Sequence, residues 1–176
     1  RAAGTDMLQY LKENPNHRPL PEAAVDEAMT RLARWDRKGD GESVSAVKAQ
    51  LRKLMEDHCS VFRTQEVMAE GVEKLQALRS RIEGARLRDH SKTFNTARIE
   101  ALELDNLMDV GMATLCSALA REESRGAHSR IDFPKRNDAD WMKHSLYHRE
   151  GDRMDFKPVR TKPLTVESFP PKERVY

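Results

Sequence analysis

Along most of this chain apolar residues recur at steps of three and four, the period of an α-helix that buries one face. The first such stretch, 5–13, is short and is cut by Asn14-Pro15-Asn16 and by Pro19 and Pro21. Between Glu22 and Trp35 the stripe is Val25, Ala28, Met29, Leu32 and Trp35, and Asp36-Arg37-Lys38-Gly39-Asp40-Gly41 then breaks it. Ser43 suits the N-cap of a helix carrying Val44, Val47, Leu51, Leu54 and Met55 and closing near Cys59. Thr64 caps a third stripe, Val67, Met68, Val72, Leu75, Leu78 and Ile82, which continues to about Leu87 and so spans roughly 35 Å. A polar linker, 88–94, leads to a fourth and longest segment opened by Asn95 or Thr93. Its Ile99, Leu102, Leu107, Val110, Ala113, Leu115, Ala118 and Leu119 cover a broad arc, which predicts contact on more than one side.

Three long helices joined by short polar links must bury their faces against one another, and an antiparallel bundle does this most simply. Gly71, Gly84 and Gly111 each cost about 1 kcal/mol relative to Ala inside a helix. They are either tolerated or mark a close helix crossing. Gly126 is placed to be the C′ residue of the last long helix. Beyond it Asp138 can cap a single turn through Met142, and 144–148 and 154–159 alternate about Glu150-Gly151-Asp152 as a β-hairpin does. Two strands alone are marginal in water, so the hairpin should lean on the bundle or on an absent partner. The tail from Lys162, with Pro163, Pro170 and Pro171, should be extended. The predicted fold is mostly α: an antiparallel three-helix bundle over 1–126, with a small α+β appendage of short helix, hairpin and extended tail over 127–176.

Composition narrows the function classes. Lys+Arg 31 nearly cancels Asp+Glu 29, so no global field recruits nucleic acid or anionic lipid. No apolar run approaches the ~20 residues that cross a bilayer, and the start lacks a signal-peptide core, so the chain is expected to be soluble. Cys59 and Cys116 lie far apart inside apolar-patterned segments, which predicts two buried free thiols in a reducing compartment. The opening Arg1-Ala2-Ala3-Gly4-Thr5 reads as the middle of a helix without a cap, as if the chain began inside a larger protein.

Most candidate chemistry dissolves on inspection. His144 and His148 would share a metal on a helix, but on a strand four residues span about 13 Å, which makes them a surface or interface pair. Glu100 and Glu103 lack the Glu-x-x-His partners of a di-metal bundle, and His58 beside Cys59 lacks a second ligand pair. There is no phosphate-cradling glycine loop and no nucleophile elbow. Arg79, Arg81, Arg86 and Arg88 are interrupted by Glu83 and lack aromatic interleaving, so they read as a solvated helix face rather than an RNA surface.

What remains is Arg121-Glu122-Glu123-Ser124-Arg125-Gly126-Ala127-His128-Ser129-Arg130-Ile131-Asp132-Phe133-Pro134. Two carboxylates at a helix C-terminus oppose the macrodipole, by a few tenths of a kcal/mol up to ~1 each, and call for compensation by Arg125 and Arg130. Two arginine forks and a histidine that titrates near neutrality could bind a carboxylate or phosphate. The competing reading is a charged network that fastens the bundle to another domain, and it is the one favoured.

This segment, with Arg136-Asn137-Asp138 and Trp141, resembles the C-terminal signature of succinate dehydrogenase and fumarate reductase flavoprotein subunits. Ser60-Val61-Phe62-Arg63, Phe94-Asn95-Thr96-Ala97-Arg98-Ile99-Glu100, Leu102-Glu103-Leu104-Asp105-Asn106-Leu107 and the ending Phe169-Pro170-Pro171-Lys172-Glu173-Arg174-Val175-Tyr176 support the resemblance, which runs nearly the whole chain. L-aspartate oxidases share mainly the Glu-Ser-Arg-Gly part. The resemblance implies a parent enzyme that oxidises succinate to fumarate, passing a hydride to FAD and electrons to an iron-sulfur subunit. It also implies that the FAD-bearing histidine, the proton-shuttling arginine and the dicarboxylate-holding residues lie on N-terminal and capping domains whose motifs this chain does not contain.

The expectation is therefore a scaffold portion with no catalytic, cofactor-binding or metal-binding residue of its own. Glu123, Ser124, Arg125, His128, Arg130 and Asp132 are the candidates for docking it to the flavin-binding domain of the same subunit. The other expected partner is the iron-sulfur subunit, with no nucleic acid and no direct membrane insertion. The expected location is cytoplasmic, peripheral to the inner membrane through the parent complex. The alternatives are a stand-alone helical module binding protein or RNA, or the equivalent region of fumarate reductase or L-aspartate oxidase.

Overall fold

A computed structural model describes residues 2–162 and 167–172. Its centre is three helices, α3 (Val44–His58), α4 (Gln65–Ile82) and α5 (Thr96–Ala120). Two are opened by the predicted caps: the Thr64 hydroxyl accepts from Val67 N–H at 3.4 Å, and the Asn95 side chain, not Thr93, accepts from Arg98 N–H at 2.8 Å. Ser43 precedes α3 as expected, but its hydroxyl pairs with Ser45 Oγ at 2.7 Å and makes no cap bond. Helix α4 stops at Ile82, short of Leu87, because the chain turns at 83–84; Leu87 is buried nonetheless.

The topology is up-down-up. Ser43 at the start of α3 bridges Arg86 just past the end of α4, while His58 at the end of α3 lies against Gly71 in the first half of α4. Leu115, near the end of α5, also meets Gly71, and Lys48 of α3 pairs with Glu103 of α5 at 3.3 Å. Helices α3 and α5 therefore run parallel to each other and antiparallel to α4. Val47, Leu51, Met68, Leu75, Leu78, Leu104, Met108, Met112 and Leu115 fill the core between them.

A Cβ on Gly71 would lie 2.5 Å from His58 Cβ and 2.9 Å from Leu115 Cδ2, so this glycine marks the close crossing. Gly84 lies outside any helix, and a Cβ on Gly111 would meet Met55 Sδ at 3.4 Å.

The arc of α5 is used differently from its sequence reading. Its core face is Ala101, Leu104, Met108, Met112 and Leu115, whereas Ile99, Leu107 and Val110 are exposed. The stripe before it is likewise bare. Helix α2 (Ala24–Ala33) buries none of its residues, with Val25 and Met29 57% and 58% exposed. Trp35, predicted to extend that helix, instead sits in a 3-10 turn, 34–36, and is buried. Charge holds this segment to α5: Arg34 meets Asp105 at 2.7 Å, Arg98 meets Asp36 at 2.8 Å, and Arg31 donates to Asn106 at 2.6 Å. Helix α1 (Ala2–Glu13) exposes Met7, Leu8, Tyr10 and Leu11.

Beyond α5 come one turn of helix, α6 (Asp138–Trp141), and a hairpin of β1 (Lys143–His148) with β2 (Arg153–Pro158). Asn137 caps α6, displacing the predicted Asp138 by one residue. The hairpin leans on the bundle: Tyr147 and Met154 pack on the core, and Arg79 of α4 grips Asp152 at 3.0 Å. Residues 167–172 form neither helix nor strand; Pro163 and the ending 173–176 lie outside the described residues.

Candidate docking site

The last carbonyls of α5 have no partners within the helix and carry the negative end of its dipole. Arg130 meets them. Its Nη1 donates to the carbonyls of Leu119 at 3.1 Å, Arg121 at 3.3 Å and Ala118 at 3.4 Å. Its other nitrogens form a two-pronged pair with Asp132, at 2.7 and 2.6 Å, and the residue is 1% exposed. Asp132 in turn accepts from Gln65 N–H at 2.8 Å, placing a carboxylate on the N-terminus of α4. Its hydrogen bond from Arg130, outweighing burial and aided by Gln65, lowers its pKa from 3.8 to about 2. One pair thus neutralises the ends of two helices.

Glu123 does not oppose the α5 dipole as the sequence implied, because α5 has already closed at Ala120. It is fully buried and receives Arg121 at 2.6 Å, Arg125 at 2.7 and 3.0 Å, and Asn137 N–H at 2.9 Å. Burial pushes its pKa up, but these bonds outweigh burial and hold it below the ordinary range. Its partners are Arg121 and Arg125, while Arg130 serves the helix end. Arg121 reaches onward to the carbonyls of Trp141 at 3.1 Å and Lys143 at 2.5 Å, so the same cluster anchors the hairpin.

Gly126 is not a helix C′ residue. Its φ of +60° opens a tight turn in which Arg125 N–H donates to the His128 carbonyl at 2.8 Å and His128 N–H returns the bond at 3.0 Å. Positive φ at the first central position is the type II′ pattern that glycine serves. The turn aims His128 back at the bundle. Its Nε2 donates to the Arg121 carbonyl at 3.2 Å and its Nδ1 accepts from Arg63 at 2.8 Å, which fixes a neutral tautomer. Burial, reinforced by Arg63, Arg130 and Arg121, lowers its pKa below 6.5.

Ser124 Oγ accepts from Arg130 N–H at 2.8 Å and lies 2.9 Å from the Phe133 carbonyl, to which it donates. The loop is closed on itself. The structure thus brings all six candidates into one network.

Sequence reasoning missed Arg63, which also donates to the carbonyls of Ser60 at 2.8 Å and Cys59 at 3.3 Å and so caps α3. It missed Arg121 as the hinge to the hairpin, although its place at the head of the charged run was the available signal. Arg136 and Asp138 form a further two-pronged pair at 2.8 and 2.6 Å, with Asp138 lowered to about 2 by Arg136 and then Arg125.

The other candidates scatter. His144 is exposed on β1, and Glu100 and Glu103 both face Lys48. His58 donates through Nδ1 to the Val67 carbonyl at 2.9 Å and accepts from Lys74 at 3.3 Å, joining α3 to α4. Among the described residues no group of three His, Cys, Asp or Glu side chains is arranged to hold a metal ion. Both cysteines are free; Cys116 is buried, but Cys59 only half-buried, a correction to the predicted pair of buried thiols. The basic run is not simply solvated either: Arg79 holds Asp152, and Arg81 holds Glu42 at 2.5 Å.

The arrangement is a polar joint whose charged side chains are met by partners within the chain, and a cleft lined by Arg63, Arg121, His128 and Ser145 opens beside it. Residues 48–176 match the family model described as fumarate reductase flavoprotein C-term. The chain is 45% identical over 174 residues to the succinate dehydrogenase flavoprotein subunit of Coxiella burnetii, covering 99% of this chain and 30% of that protein. It is 39% identical over 181 residues to the corresponding subunit of Rickettsia bellii, again 30% of that protein. Among solved structures it is similar to an E. coli quinol fumarate reductase, with a TM-score of 0.76 and 30% identity over 92% of this chain and 29% of that one. The chain spans about 30% of the length of the curated relatives it matches, and it belongs to the fumarate reductase flavoprotein C-terminal family.

Proposed function

We propose that this chain is the scaffold portion of a succinate dehydrogenase flavoprotein subunit. The parent enzyme would oxidise succinate to fumarate, with the hydride going to FAD and electrons onward to an iron-sulfur subunit. The observation that carries the reading is the match of almost the whole chain to succinate dehydrogenase flavoprotein subunits of more than three times its length. The fumarate reductase relatives leave the direction of the reaction to the rest of the subunit.

The flavin is assigned to the remainder of the parent. Dinucleotides are held where a parallel strand turns through glycines into a helix N-terminus. The described strands instead form an antiparallel hairpin, and the described residues do not fit that role.

Its own work would be mechanical. Glu123, Ser124, Arg125, His128, Arg130 and Asp132 would hold the junction between 1–126 and 127–176 in the shape that docks to the flavin-binding domain, and the bare faces of α1 and α2 would be covered by the same subunit. No described helix is long and apolar enough to cross a membrane, so membrane association, on the cytoplasmic side of the inner membrane, would come through the other subunits. A stand-alone RNA-binding module is disfavoured because Arg79 and Arg81 are already ion-paired.

Association with a separately expressed flavin-binding portion tests the assignment. Arg125→Ala is expected to weaken it at least tenfold; if Arg125→Ala and Arg130→Ala both bind like the parent chain, the docking assignment is wrong. The chain alone is expected to show neither flavin absorbance nor succinate-dependent dye reduction, and turnover by the pure chain would overturn the scaffold reading.

A further inference from the structure

Two loops are hydrogen-bonded side by side at the end of the bundle where α3 passes into α4. Arg63 N–H donates to the Ser129 carbonyl at 3.2 Å, Ile131 N–H to the Arg63 carbonyl at 2.9 Å, and Gln65 N–H to Asp132 at 2.8 Å. Three charged side chains of these loops are turned to internal partners: Arg63 to the end of α3 and His128, Arg130 to the end of α5, and Asp132 to Arg130 and the start of α4. Beside those charges, and among exposed polar residues such as Ser60 and Lys135, the loops also leave apolar side chains exposed. Phe62 is 71% and Ile131 61% exposed, and Val61 and Phe133 are exposed beside them. Single exposed apolar residues are ordinary, but four on a hydrogen-bonded frame, two of them aromatic, form the kind of patch that proteins cover with a partner.

We infer that Val61, Phe62, Ile131 and Phe133 make the docking contact, and that the ion pairs beneath are its frame. The inference rests on the scaffold reading above and commits to one occupant: the flavin-binding portion of the same subunit. About 70% of the length of the matched subunits lies outside the segment this chain matches, and the family description places that segment at the C-terminal side. A partner on the same polypeptide is present at an effective concentration that keeps the patch covered. Satisfied charges also suit such a contact, since no buried ion has to be stripped of water when the surfaces meet.

Single cysteines in the full-length, flavin-loaded subunit read the patch directly. Phe62→Cys and Ile131→Cys are modified with a water-soluble maleimide, each rate being divided by that of the same site in the denatured subunit, with mass spectrometry resolving the site. Met29→Cys on α2 reports the scaffold reading independently. Slowing of at least tenfold at positions 62 and 131 is expected. If position 29 is slowed and positions 62 and 131 are not, the patch assignment is overturned while the scaffold reading stands. If none is slowed, both are overturned. Slowing at 62 and 131 that arises only on adding the iron-sulfur subunit also overturns the inference, by naming a different occupant.

Discussion

Glu123 shows how much of this fold hangs on single charges. A buried carboxylate between two arginines is costly to desolvate, and removing it takes the one carboxylate that Arg121 meets and leaves Arg125 with Asp138 alone. Glu123→Ala is therefore expected to cost about 3–5 kcal/mol in urea unfolding, far more than loss of an exposed pair such as Lys53 with Asp57. Phe94 is the opposite case. It holds φ at +52° with its ring 98% exposed, so it carries left-handed strain with no packing in this chain to offset it. Phe94→Asn is expected to raise the stability of the chain by about 1 kcal/mol, read as a higher urea midpoint at unchanged slope. The acidity of the junction also has a sign. Asp132 and Asp138 titrate near 2 instead of 3.8, so their contribution is present above about pH 4 and is lost as pH falls toward 2. His128 is depressed below 6.5, so stability already begins to decline as pH drops below that value. Urea midpoints from pH 8 to 2 should show a shallow fall and then a steep one; a flat profile below pH 4 would contradict the ion pairs.

The helices themselves were legible because the three- and four-residue period survives in any context that buries one face. Thr64 and Asn95 were legible as caps for the same reason, since a cap acts within its own turn. Ser43 and Gly126 show the limit: each residue type suited the motif, but a neighbouring hydroxyl took the first and a reversed chain the second. Gly71 was one of three candidates for a close crossing, and nothing local distinguished it. The crossing is decided by His58 and Leu115, both distant in sequence. Gly71→Ala is expected to destabilise by about 1–3 kcal/mol, because two packed side chains must shift. Gly111→Ala, with Met55 Sδ at 3.4 Å, should cost less, and equal effects in thermal unfolding would argue against the crossing.

At the scale of the molecule, the α3–α4–α5 core is closed while α1, α2 and one side of α5 keep apolar residues in solvent. Met7, Leu8, Leu11, Val25, Met29 and Val110 are each more than half exposed, surface that a partner or a second copy can cover. Alone at high concentration the chain is expected to self-associate, with sedimentation showing a rise in mass that joining to the rest of the subunit abolishes. By themselves the residues determined helix periods, hairpin, charged junction and family, because periodicity, turn chemistry and ordered motifs are local properties of the chain. Only the folded arrangement decided which apolar faces meet, which arginine answers which carboxylate, and that the six candidate residues join one network in which Glu123 and Arg130 are buried. Those depend on distances between segments far apart in sequence, and a side chain's partner is set by where the backbone carries it, not by its own chemistry.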